Sequence, residues 1–211
     1  MLAPGTVAVT LEGGARLLLR AERVILNFIC HLSGIANLVK RYVDALDGTG
    51  VRLLDTSKTL PGLRYPEKYA VLVGGGCNHR KNLGEMLMLK DNHIDAAGGI
   101  APAVAMLRGA YDPVPPIEVE CRTEDEVRQA VECGVTRIML DNMLDNGGPG
   151  VMQQALSLVP ESIEVEISGG VTLENIRMIA QTGASRKADF ISVGRLTHSA
   201  PAADFSMRIP G

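Results

Sequence analysis

The sequence has no tryptophan and only 4 tyrosines and 3 phenylalanines, so it lacks the aromatic platform on which single-stranded nucleic acid stacks. It also lacks a basic surplus, since 21 Lys and Arg stand against 24 Asp and Glu for a formal net charge of -3. Nucleic acid is therefore not an expected partner, whereas a local cluster of cations would be enough to bind a small anion. No window approaches the roughly 18 apolar residues that a membrane span needs, and no membrane partner is expected. Met1-Leu2-Ala3-Pro4-Gly5 has no basic region followed by an apolar core, so no secretory signal is read. Cys30, Cys77, Cys121 and Cys133 have no CxxC spacing, and reduced core residues are expected in place of a metal or disulfide framework. No GxGxxG follows a first strand, which weakens a dinucleotide-binding assignment. A soluble cytoplasmic protein is expected, or an organellar one if a segment lies upstream.

What is present is a core-forming chain, 46% hydrophobic over 211 residues. Beyond Gly48, short apolar runs alternate with amphipathic segments. The runs are 51–54, 86–89, 117–121, 137–140, 163–167 and 190–193. Between them, Thr123 to Cys133 opens with Thr123 and Glu126 as a capping box, and Thr172 to Thr182 ends at Gly183. Strand and helix in repetition predict a parallel sheet. Because the strands are apolar on both faces, a TIM-like α/β barrel, complete or incomplete, is preferred to an open doubly wound sheet. Asn146 to Gly150 reads as a loop. Ahead of the barrel, residues 7–20 predict a hairpin around Gly13-Gly14. Residues 21–47 predict two helices broken at Ser33-Gly34, with Ser33 capping the second. Phe205 to Ile209 looks strand-like and is assigned to the same partial sheet as the hairpin.

The stretch from Val71 to His93 concentrates the chemistry. Gly74 to Gly76 allow a sharp turn or a close approach, His79-Arg80 follow, and the apolar run Met86 to Leu89 ends abruptly in Lys90. The other runs end in the same way: Asp55 with Lys58, Glu120, Asp141, Ser168-Gly169-Gly170, and Ser192-Val193-Gly194. In a barrel these ends meet at one mouth. They predict a basic sector, a carboxylate pair and two glycine loops, with phosphate held by residues 168–170 and a helix N-terminus at Thr172. The His79 to His93 spacing is not one of metal ligands.

The segments AERVILNF, LSGIA, DTSKTLPGLR, EKYAVLVGGG, NHR, MLMLKDNHI, IEVEC, IMLDN, ISGGVTLENI and ISVGRLTHSAPAADFSM occur in one order along the chain. In that order, and over nearly its whole length, the chain resembles the quinolinate phosphoribosyltransferases, also called nicotinate-nucleotide pyrophosphorylases (carboxylating), of NAD synthesis. The resemblance implies transfer of ribose 5-phosphate from phosphoribosyl diphosphate to quinolinate, with Mg²⁺ as cofactor. Diphosphate and CO2 leave, and nicotinate mononucleotide is the product. By the same resemblance Lys58, His79, Arg80 and Lys90 bind quinolinate. Arg23 would reach it across a homodimer or higher homo-oligomer.

Glu120 and Asp141 match the residues that hold the ribose and, indirectly, the metal; with Lys58 they form the expected catalytic set. Ser168, Gly169, Gly170, Gly194 and His198 take the 5′-phosphate. Ser57 stands at a substrate-binding position where the family has Arg. The implied layout is a barrel at 33–199 and, at 1–32 and 200–211, the remnant of an α/β sandwich domain whose amino-terminal part is mostly missing. Gly183 to Lys187 is a few residues longer than the family pattern. Two alternatives stand beside this expectation: a non-catalytic homologue that binds phosphoribosyl diphosphate, and a transferase of the same fold with another acceptor.

Overall fold

The run ARLLLRAERVIL is rich in residues that lose little side-chain freedom in a helix, and residues 15–20 include no β-branched side chain. In the computed structural model, which describes residues 3–183 and 185–209, this run opens one unbroken helix, α1 (Ala15–Leu46). The predicted hairpin is not formed, because residues 6–12 make no strand and 15–20 belong to the helix. Ser33-Gly34 does not divide α1 either. A glycine inside a helix costs about 1 kcal/mol against alanine, and tertiary packing overrides that cost here. A Cβ on Gly34 would lie 2.1 Å from the carbonyl oxygen of Pro201, and the Ala203 N–H donates to Cys30 O at 2.8 Å. The glycine lets the C-terminal segment lie on the helix. Gly34→Ala should therefore lower stability by about 1–3 kcal/mol through overpacking, despite alanine's better helix propensity. A melting temperature equal to or above that of the parent protein would show that this segment yields freely.

The six predicted runs all form strands, with ends shifted by no more than one residue: β1 (Arg52–Leu54), β2 (Leu87–Leu89), β3 (Ile117–Cys121), β4 (Arg137–Asp141), β5 (Glu164–Ser168) and β6 (Phe190–Ser192). They pair in parallel in the order β1-β6-β5-β4-β3-β2. Beyond that order, one bridge joins Leu54 to Cys77, and the barrel is not closed between β1 and β2. The helices between and after the strands are α2 (Arg64–Val73), α3 (Asp91–Ala97), α4 (Ile100–Ala110), α5 (Glu124–Glu132), α6 (Met143–Leu158), α7 (Ile176–Ala180) and α8 (Arg195–His198). Their apolar sides and the strands share one core, in which Val119, Ile138, Leu140, Val165 and Ile191 are fully buried.

Several local expectations change. The Thr123 side chain caps α5 by accepting the Glu126 N–H, but Glu126 reaches back to the Arg122 N–H, so the reciprocal box is not made. Residues 146–150 lie within α6, and the glycine-proline step there makes a kink at Gly148, φ 74°, in place of a loop. Asn175 precedes a short α7, and residues 172–175 form a turn, so no helix begins at Thr172. Phe205 to Ile209 pair with no strand. Gly74 and Gly76 serve packing: a Cβ on Gly74 would lie 2.6 Å from Ala36 O, and one on Gly76 2.9 Å from the Val71 side chain. The four cysteines are free, with Cys121 buried and the other three half-buried. Helix α1 runs through position 32, where the sequence-based domain division falls, and part of the Gly183 to Lys187 stretch lies outside the described residues. Among the described residues no helix is long and apolar enough to cross a membrane.

Candidate active site

The carboxyl ends of the strands enclose a cavity of about 470 Å³. Its wall includes Ser57, Lys58, His79, Arg80, Lys90, Glu120, Asp141, Ser168, Gly169, Gly170, Gly194 and His198, which brings together every predicted site residue except Arg23. Arg23 is exposed on α1 and lies outside the cavity. Asp55, read from the sequence as part of the mouth, is fully buried and turned away from it.

The cavity has two chemically distinct ends. At one, the Lys58 side chain passes over Gly194, where an added Cβ would lie 3.1 Å from Lys58 Cδ and 3.4 Å from His198 Nε2. The Thr197 hydroxyl donates to Lys58 O at 2.7 Å, which ties this loop to α8. Gly169 and Gly170 stand beside it with φ of 90° and 59°. Any side chain would collide there, since their added Cβ atoms would lie 2.1 Å from Asn142 Oδ1 and 2.2 Å from Asp145 Oδ2. Cations, backbone and glycines thus make a phosphate-sized corner. At the other end, Arg80 donates through Nη1 to Met86 O at 2.9 Å, and Lys90 Nζ donates to Glu120 Oε2 at 2.8 Å. Between the two ends lie Glu120 and Asp141, the latter steadied by Asn142 Nδ2 at 2.6 Å.

Beneath the floor lie two carboxyls that the sequence reading missed. Glu118 and Glu166 are fully buried, and Glu166 also lines the cavity. The His79 ring joins them: Nε2 is 2.8 Å from Glu118 Oε2 and 3.6 Å from Glu166 Oε2. Its Nδ1 accepts the Arg80 N–H at 2.9 Å, so the ring proton sits on Nε2 and points to Glu118. Nε2 therefore has no lone pair for a metal, although His79, Glu118 and Glu166 bring ligand-type atoms within 4.8 Å of one another. The signal for the missed pair was the period of two along a strand. Glu118 precedes Glu120, and Glu166 precedes Ser168, at the spacing that puts both members on one face.

Burial, and then the Glu118 carboxylate, hold Glu166 well above the usual carboxylate range. Arg137, with Nη1 3.5 Å from Glu166 Oε2, opposes this only partly. A proton shared by the pair would bridge one oxygen of each carboxyl; Glu118 Oε1 and both Glu166 oxygens otherwise make no hydrogen bond among the described residues. Folding then takes up a proton between the ordinary carboxylate range and the raised native value. Glu166's contribution to stability is full in acid and falls as pH rises through that interval. Glu166→Gln, which keeps the neutral form, should gain melting temperature relative to the parent protein as pH rises above the ordinary carboxylate range. Parallel melting curves across that rise would mean that Glu166 is ionised in the folded protein.

Glu120 and Asp141 offer hard oxygen donors at the cavity wall, a set suited to Mg²⁺, which takes one or two carboxylates and completes its shell with water and phosphate oxygens.

A parallel α/β barrel with cations, paired carboxylates and glycine loops at its strand ends has the layout of a phosphate-binding barrel domain. The comparisons agree. The chain belongs to the quinolinate phosphoribosyl transferase family, whose C-terminal domain matches residues 35–208. It is 44% identical over 209 residues to a probable nicotinate-nucleotide pyrophosphorylase [carboxylating] of Bacillus subtilis, covering 99% of this chain and 70% of that one. It is 45% identical to the chloroplastic nicotinate-nucleotide pyrophosphorylase [carboxylating] of Arabidopsis thaliana, covering 94% of this chain and 59% of the relative. Among solved structures, NadC from Streptococcus pyogenes superposes with a TM-score of 0.82 at 44% identity, over 93% of this chain and 66% of that one.

Proposed function

We propose that the protein transfers ribose 5-phosphate from phosphoribosyl diphosphate to quinolinate, with decarboxylation, to give nicotinate mononucleotide, diphosphate and CO2 in NAD synthesis. The observation that carries this is the convergence, in one cavity, of a phosphate corner, two carboxylates and a separate basic end. Residues 168–170, Gly194, Lys58 and His198 hold the 5′-phosphate. Arg80 and Lys90 receive the carboxylates of quinolinate, and Arg80 can pair one of them bidentately. His79 holds the Arg80 backbone by accepting its N–H. Glu120 and Asp141 lie where positive charge develops on the ribose as the diphosphate leaves, and stabilise it electrostatically. Mg²⁺, held through water by the same two carboxylates, would neutralise charge on the diphosphate. Once the ring nitrogen is ribosylated and cationic, it stabilises the electron pair left at the neighbouring carbon as CO2 departs, and a proton from water then completes that carbon.

The working form in this proposal is a homodimer or higher homo-oligomer in the cytoplasm, or in an organelle, in which Arg23 completes a partner's site. Its support is the exposed first half of α1, where Arg23 is accompanied by Leu17, Val24 and Phe28, all at least 44% exposed. The test is direct: incubate the purified chain with quinolinate, phosphoribosyl diphosphate and Mg²⁺ and assay nicotinate mononucleotide. Binding of phosphoribosyl diphosphate without product would favour the non-catalytic homologue, for which Ser57 is the specific observation.

A further inference from the structure

Strands β1 and β2 are the two edges of the sheet, and the basic residues of the site stand on both sides of the gap between them. Ser57 and Lys58 follow β1, whereas Lys90 follows β2 and Arg80 donates to Met86 O just before it. Residues 77–80 span the gap. Their backbone docks on β1 through the Cys77 N–H to Leu53 O at 2.8 Å and the Asp55 N–H to Cys77 O at 3.1 Å. The Asp55 side chain then binds the same segment again. Its Oδ1 accepts the His79 N–H at 2.8 Å and Lys68 Nζ at 2.5 Å, and its Oδ2 accepts Asn78 Nδ2 at 2.7 Å. Lys68 is 2% exposed and donates also to His79 O at 3.1 Å. Asn78 Nδ2 returns a bond to Lys68 O at 2.9 Å.

A buried ion pair is poor value as a source of stability, because well-packed apolar residues of similar size often do as well or better. An apolar pair, however, could not accept the His79 N–H or donate to His79 O. We propose that Asp55, together with Lys68, is the positioning device of the site: it stands in for the absent β1–β2 ladder and fixes Arg80 relative to Lys58. Asp55 does not itself line the cavity, so it acts through the 77–80 segment, of which His79 and Arg80 do. This inference rests on the quinolinate reading above, since the spacing it fixes is that between the carboxylate end and the phosphate corner.

The test is the double variant Asp55→Asn/Lys68→Met, which removes both charges so that neither is left buried alone. Binding of quinolinate and of phosphoribosyl diphosphate is titrated separately, beside a thermal melt. The phosphate loops after β5 and β6, and Lys58 after β1, all lie on one side of the gap, joined by the intact β1-β6-β5 ladder, and provide the internal control. The double variant should melt cooperatively and hold phosphoribosyl diphosphate within about 3-fold, while quinolinate weakens at least about tenfold; in turnover, KM for quinolinate should rise and kcat change less. Unchanged quinolinate affinity, or equal loss of both ligands, would overturn the proposal. If the double variant does not fold, Asn78→Ala, which deletes the Asn78 Nδ2 bonds to Asp55 Oδ2 and to Lys68 O and leaves the Asp55–Lys68 pair in place, should still weaken quinolinate selectively; equal or unchanged binding of both ligands would overturn it. If the parent protein binds neither ligand, the functional reading fails by itself. Amide exchange of residues 77–80 then tests the clamp, which should open faster on Asn78→Ala, and unchanged exchange would overturn it.

Discussion

Replacing Glu120 by Gln or Asp141 by Asn is expected to reduce turnover by about 10²–10³-fold while the melting temperature moves little. Each substitution keeps the shape of the side chain and removes the negative charge that the proposed reaction places beside the ribose. Structurally little else depends on them. The Glu120 carboxylate pairs with Lys90, which is partly exposed, and a Gln amide oxygen can still accept that bond. The Asp141 carboxylate accepts from Asn142 next to it in sequence. The backbone ladder of both strands stays intact. A fully active Glu120→Gln or Asp141→Asn protein would remove that residue from the mechanism, and a large drop in melting temperature would assign it to the fold.

Restoring arginine at position 57 is expected to tighten quinolinate at least about tenfold and to leave phosphoribosyl diphosphate almost unaffected. A serine hydroxyl offers one neutral hydrogen bond, whereas a guanidinium offers a charged fork to a carboxylate stripped of water. Losing one partner of such a buried charge pair costs about 2–5 kcal/mol, roughly 30-fold or more in affinity. Ser57 lines the cavity, so an Arg side chain there can enter it. One neighbour could already fill the role: Arg64 at the start of α2 donates to Ser57 O at 3.3 Å and to the Thr59 hydroxyl at 3.5 Å. Equal quinolinate affinity in Ser57→Arg and the parent protein, with a loss in Arg64→Ala, would show that Arg64 has taken the position. Equal affinity in all three would leave quinolinate without support as the ligand.

The strands were legible because each carries a short run of mostly apolar residues that stops at a polar residue or a glycine, a pattern that survives without tertiary information. The cavity wall was legible for the same reason, since parallel strands deliver their end residues to one side. What escaped depends on contacts between distant segments. Gly34 reads as a helix break until Pro201 is known to lie against it, and ARLLLR reads as a strand only if the glycines before it are given more weight than its leucines. Asp55 was placed at the mouth by its position after β1. Its actual partners, Lys68 on α2 and the 78–79 backbone, cannot be inferred from the local pattern. Glu118 and Glu166 were absorbed into apolar runs, although their two-residue offset from Glu120 and Ser168 was visible.

The strand order also determines the order in which the barrel can be assembled. From β3 to β6 each strand pairs with its predecessor in the chain, so these pairings can accrue as the polypeptide emerges. Strand β1 cannot follow that schedule, because Arg52, Leu53 and Leu54 pair with Phe190, Ile191 and Ser192. Helix α1 can pack on α2 early, through His31 to Glu67 and Ala36 against Gly74, but its last contacts wait as well, since Arg177 caps the carbonyls of Ala45 and Asp47 and Ala203 bonds to Cys30. The first structure to be made is thus the last to be seated, and its closure entropy is met only at the end. Pulse-labelled amide exchange during refolding should protect β3 and β4 before Arg52 to Leu54. A chain ending before Phe190 should leave α1, β1 and α2 as a tethered unit that lacks its ladder to the rest of the sheet.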